Sequence, residues 1–64
     1  MELQLEKPWK IVKGKLMEHN NKLTEDDLHY EKGKDDELIE RLSKKMGRSK
    51  QEIKEWIESM SFNK

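Results

Sequence analysis

A three-residue link, Gly47-Arg48-Ser49, lies between two stripes of apolar residues at helical spacing, and this arrangement most narrows the folds open to the chain. Upstream, Leu38, Ile39, Leu42 and Met46 share one side of a helix predicted over 35–46. Acidic residues open that helix, Lys44 and Lys45 fall in its last turn, and Gly47 is placed for a left-handed cap. Downstream, Ser49-Lys50-Gln51-Glu52 has the form of a capping box. Ile53, Trp56, Ile57 and Met60 follow at i, i+3, i+4 and i+7, which predicts a helix over 49–60. So short a link makes the two helices neighbours, crossing or antiparallel.

The rest of the chain must complete a core around that pair. At 64 residues it is one domain at most, near the size where folding buries only about 60% of the exposed surface. There is no cysteine, hence no disulfide or thiolate metal site, and stability must come from helix packing. Charged residues make up 44% and hydrophobic ones 31%, close to a disordered composition, but the zero net charge separates this chain from that class. Pro8 suits a first helical turn, and Trp9, Val12 and Leu16 follow at spacings of three and four, predicting a helix over 8–18 that ends at Asn20-Asn21. Gly14 lies inside it at a cost of about 1 kcal/mol relative to alanine, so either the helix is short there or another backbone approaches closely. In Lys22-Leu23-Thr24-Glu25-Asp26-Asp27-Leu28, Thr24 is a capping residue, three carboxylates follow it, and Leu23 and Leu28 occupy staple positions. A short, weak helix over 24–31 is predicted, ending before Gly33. Residues 1–6 alternate Met1, Leu3 and Leu5 without a hairpin partner, so they are expected as a disordered or extended arm. The expected fold is all-α, a compact single domain over 1–64 of three to four short helices, with both tryptophans in one core.

Charge divides the chain into three. Residues 1–22 carry five lysines against three glutamates, residues 23–40 two lysines against eight acids, and residues 41–64 seven basic residues against three glutamates. The basic flanks are expected to complement the acidic middle, within the domain or across a dimer. No apolar run exceeds two residues, as at Ile11-Val12, so no membrane span or export leader is expected.

The motifs of catalysis and metal binding are sparse. His19 and His29 are ten residues apart and share no helical face. Asp26, Asp27, Glu31, Asp35 and Asp36 lack the alternating order of a calcium loop, and helix-start electrostatics account for them. Gly14-Lys15 and Gly33-Lys34 are isolated pairs rather than a phosphate loop. No catalytic, cofactor or metal residue is therefore assigned. Lys44, Lys45, Arg48 and Lys50, beside Gly47 and the amides of a helix start, form the candidate interaction surface, and Lys10, Lys13 and Lys15 make a second basic patch. Ile11, Met17, Phe62 and the Leu3/Leu5 arm have no assigned place in the core and are candidates for a contact patch.

The ordered set Lys13-Gly14-Lys15-Leu16, Lys22-Leu23-Thr24-Glu25-Asp26-Asp27-Leu28, Glu31-Lys32-Gly33-Lys34 and Met46-Gly47 resembles the CsbD-like family of small bacterial general-stress proteins over residues 9–56. The chain departs from the family pattern at His19-Asn20-Asn21, Glu40, Ser43 and Met46. The resemblance implies a cytoplasmic, stress-associated, sterile-alpha-motif-like helical bundle with no catalytic residue to carry over. The expectation is therefore a non-enzymatic protein acting through its surface on a protein partner or on itself. The alternative is a weak nucleic-acid-binding module using the basic turn.

Overall fold

The computed structural model describes residues 2–62, so Met1 of the expected arm and Asn63 and Lys64 of the expected domain lie outside the described residues. Three helices follow in order: α1 (Trp9–His19), α2 (Asp35–Met46) and α3 (Lys50–Phe62). The described residues contain no strand, in keeping with the all-α expectation. α3 packs against both α1 and α2.

The helices predicted over 8–18, 35–46 and 49–60 form within one or two residues of their expected limits. Pro8 stands just ahead of α1 rather than inside it, its carbonyl accepting the Ile11 and Val12 amides at 3.0 and 3.2 Å. α2 ends at Gly47, whose φ of 66° is left-handed, and the Arg48 N–H reaches back to the Ser43 carbonyl at 3.1 Å. α3 begins with the predicted capping box: the Glu52 N–H donates to Ser49 Oγ at 3.1 Å, and the Ser49 N–H donates to Glu52 Oε1 at 3.4 Å. Gly14 does not shorten α1, and a side chain there would meet nothing within 4 Å, so the expected close approach is absent.

The expected helix over 24–31 does not form. Thr24 does accept the Asp27 N–H at 3.2 Å, and the Leu28 N–H reaches the Thr24 carbonyl at 3.1 Å, which closes one turn. The turn stops there because tertiary donors take the carbonyls that a longer helix would use. Arg41 Nη1 of α2 donates to the Asp27 and His29 carbonyls at 3.0 and 2.9 Å, and Trp9 Nε1 of α1 donates to the Leu28 carbonyl at 2.9 Å. A segment with only Leu28 and Tyr30 to bury gains more from these bonds than from propagating a helix. Gly33, at φ 84°, then turns the chain into α2.

The core is one cluster. Val12 and Leu16 come from α1, Leu38, Ile39 and Leu42 from α2, and Ile53 and Ile57 from α3. Leu3, Leu23 and Leu28 join it from outside the helices. Trp9 and Trp56 both pack against this cluster, as expected, each half-buried. The Trp9 and Tyr30 rings meet with centroids 5.2 Å apart at 56°.

The arm is extended and docked. The Leu3 N–H donates to Asp35 Oδ2 at 2.8 Å, the Gln4 N–H to Glu58 Oε2 at 2.9 Å, and the Glu6 and Lys7 amides share the buried Ser61 hydroxyl, Lys7 at 3.3 Å. Ordering each residue costs about 1–2 kcal/mol, more over five residues than Leu3 recovers at about 1.5–3 kcal/mol, so these bonds are needed to hold the arm. Among the described residues no buried side-chain polar atom lacks a partner.

Candidate functional site

The predicted basic residues gather where α2 passes into α3, each in a specific electrostatic setting. Lys44 pairs with Glu40 one turn back at 3.2 Å. Lys45 reaches across to Asp27 of the connector. Arg48 pairs with Glu52 of the capping box at 3.4 Å. Lys50 has no ion pair among the described residues, but its charge acts on Glu40. The carboxylates register these contacts. Asp27 is held below the usual carboxylate range first by Lys45 and then by the Thr24 amide, and Glu40 is lowered first by Lys44. Glu52 is lowered first by the Ser49 amide, with Arg48 adding less. The acidic middle and the basic flank thus meet at Asp27–Lys45 within the domain, as the charge partition predicts.

Beside this turn the surface opens into a groove of about 400 Å³ lined by His19, Met46, Arg48, Glu52, Ile53 and Trp56. α1 contributes its last residue, α2 its last, and α3 one face. The floor is apolar: Ile53 is buried, while Met46 and Trp56 are half-buried. A second depression continues past Asn20, Met46 and Arg48 to Lys22, Leu23 and Lys45. Residue spacing had placed Met46 and Trp56 on core stripes. They also serve as groove floor because α1 ends at His19 and the chain leaves at Asn20, which uncovers this end of the α2–α3 pair. Asn20-Asn21 mark the end of α1 in the sequence, but which side chains of α2 and α3 that end leaves uncovered is set by how the helices pack.

The two histidines stay apart in role. His19 lines the groove, whereas His29 faces Glu31 at 3.1 Å on the exposed connector. Asp35, read from sequence as helix-start electrostatics, is buried, and it joins three segments by accepting the Leu3 amide and the Tyr30 hydroxyl. Tyr30 is pushed up to about 12, first by that hydrogen bond, then by burial and by the charges of Asp35 and Glu2. The second basic patch is partly engaged, since Lys13 pairs with Glu25 at 2.7 Å. Of the unplaced apolar residues, Leu3 is buried and Leu5 and Met17 pack on the core, while Ile11 and Phe62 remain exposed. Among the described residues no helix is long and apolar enough to cross a membrane, and no cluster of three or more His, Asp or Glu is suited to a metal ion.

Fold and groove together define a small three-helix domain with an open groove in which Met46, Ile53 and Trp56 are the apolar side chains and the charged ones, Arg48 and Glu52, pair with each other. The chain belongs to the UPF0337 family, which is the CsbD-like family. It is 42% identical over 59 residues to a UPF0337 protein of Pectobacterium atrosepticum, the match covering 86% of each chain. It is 35% identical over 51 residues to the UPF0337 protein YjbJ of Escherichia coli, covering 80% of this chain and 74% of that protein. No family model matches the chain, and no solved structure matches it.

Proposed function

We propose that the chain is a non-catalytic, cytoplasmic interaction domain of the bacterial general stress response, working through the groove between the end of α1 and the α2–α3 turn. The observation that carries this reading is the groove itself. Met46 and Trp56 are half-buried on an open floor, and aromatic and methionine side chains in such a position suit protein contacts. Its rim places His19 and Arg48 beside Glu52, a mixture that orients a partner. Asp35, the buried carboxylate most suited to acid–base work, has both oxygens engaged by the Leu3 amide and the Tyr30 hydroxyl. The stress association rests on the family resemblance.

Nucleic-acid binding is the weaker reading. Phosphate contacts need cations whose charge is available, and Lys44, Lys45 and Arg48 each face a carboxylate of this chain.

Crosslinking inside stressed bacteria, followed by identification of what is recovered, tests the proposal. A dominant protein species, diminished by Trp56→Ala in a chain that stays folded, is the expected result. Reversing charge at Lys44 and Lys50, basic residues of the same turn that do not line the groove, is expected to leave stress survival intact. Recovered nucleic acid that disappears on that reversal overturns the reading in favour of the alternative.

A further inference from the structure

We infer that the groove and the depression continuing from it form one two-part site for a short segment of a partner protein. An apolar side chain of that segment seats on Met46, Ile53 and Trp56, and a neighbouring carboxylate meets Lys22 and Arg48. This deepens the protein-contact reading, on which it rests, by giving the partner's chemistry as an acidic peptide with an apolar anchor.

The two depressions share Asn20, Met46 and Arg48, so a ligand can lie across both. Their chemistry differs. The groove is apolar apart from His19, Asn20 and the Arg48–Glu52 pair, whereas the depression beyond it is lined by Lys22, Lys45 and Arg48 and by no carboxylate. A basic group placed there would face three cations, so a carboxylate is the complement. Lys22 is exposed and carries no ion pair among the described residues.

The amount of charge narrows the partner further. Lys45 is held by Asp27, which leaves Lys22 and Arg48. Arg48 meets Glu52 through Nη1 at 3.4 Å, with the two side chains 63% and 56% exposed. An exposed pair of this kind is worth at most about 1 kcal/mol, so Arg48 turns to a second carboxylate at little cost. Two such cations suit one carboxylate and not a run of phosphates. His19 and Asn20 bring polar side chains to the same groove, which peptide groups satisfy and an alkyl chain does not. Both cations stand on turns whose backbones are tied. The Lys22 N–H donates to Asn20 Oδ1 at 3.0 Å, the Arg48 N–H donates to the Ser43 carbonyl at 3.1 Å, and the Arg48 carbonyl accepts the Ser43 hydroxyl at 2.5 Å. The charged end of the site is therefore positioned before a partner arrives.

Selection of a displayed random-peptide library on the full chain, followed by amide and indole chemical-shift mapping with the recovered peptides, tests this. The expected peptides carry an apolar residue beside Asp or Glu and shift the Trp56 indole together with the Lys22 and Arg48 amides. Replacing that acid by its amide, or making Lys22→Glu in the chain, should weaken binding severalfold, and Trp56→Ala should abolish it. Lys22 is exposed, so its variant reads the charged end of the site without disturbing the core. Peptides that shift Trp56 but are indifferent to the acid and to Lys22→Glu overturn this proposal while leaving the protein-contact reading standing. A selection that yields no peptide acting on Trp56 overturns it as well. So does decanoate shifting the same resonances more strongly than any recovered peptide, or those resonances moving with the chain's own concentration, which would make the occupant a second copy. Failure to crosslink any protein in stressed bacteria would remove the protein-contact reading itself.

Discussion

Asp35 accepts the backbone N–H of Leu3 at 2.8 Å, 32 residues away, and so ties the extended arm to the first residue of α2. Its other oxygen takes the Tyr30 hydroxyl. Replacing it with asparagine leaves one acceptor oxygen for two donors, so one buried donor faces an amide NH₂. Asp35→Asn is expected to cost about 1–3 kcal/mol, the range for orphaning a buried polar group. Urea unfolding of the two chains measures this, and a loss within about 0.5 kcal/mol, as for ordinary surface changes, would deny Asp35 its structural role.

Tyr30 is the chain's one tyrosine, so its ultraviolet titration is unobscured by others. In the folded chain it ionises at about 12, raised first by its bond to Asp35. The folded state thus favours the neutral phenol more than the unfolded state does. That contribution to stability is complete below the ordinary tyrosine value near 10 and is lost as pH rises through about 12. Asp35→Asn should bring the titration back toward the ordinary value. A wild-type midpoint near 10 would contradict the hydrogen bond.

Glu58 behaves in the opposite sense. Its carboxyl is held below the ordinary range first by the Gln4 amide and further by Lys54, with burial opposing. Stability from this contact is present above the ordinary glutamate value and is lost as pH falls through the lower folded one. The Gln4 amide nitrogen resonance should follow that titration. Glu58→Gln should remove the acid-limb change, and an unresponsive Gln4 amide would show that the two groups are not bonded in solution.

The glycines separate helix propensity from backbone geometry. At Gly14 an added methyl meets nothing within 4 Å, so Gly14→Ala is expected to stabilise the chain by about 1 kcal/mol. Gly47 also has space, but its φ of 66° is left-handed, and Gly47→Ala is expected to destabilise by about 1–2 kcal/mol. Thermal unfolding of both variants checks the pair, and shifts of the same sign would contradict the assignment.

The stripes Leu38-Ile39-Leu42-Met46 and Ile53-Trp56-Ile57-Met60, the box from Ser49 to Glu52 and the stop at Gly47 are all local, since each acts within about one helical turn. That is why α2, α3 and the turn between them were legible from residue order, together with the basic character of that turn. The segment 24–31 carried equally local helix signals at Thr24 and Asp27, and these formed their own bonds. Its helix still failed, because Arg41 and Trp9 compete for its carbonyls from other elements.

The same division governs the candidate site. Lys44, Lys45 and Arg48 were visible as a basic run, but that Lys45 answers Asp27 depends on where the connector crosses α2. Trp56 and Met46 were visible as apolar, but the open floor they make depends on where α1 ends. The docking of Leu3 on Asp35 is the clearest case. Helix periodicity and caps are written in residues at most a turn or so apart, so the chain order alone determined three helices and their limits to within one or two residues. Which carbonyl, carboxylate or apolar surface then met which distant residue was decided only by packing, because those partners are brought together by the fold and not by neighbourhood along the chain.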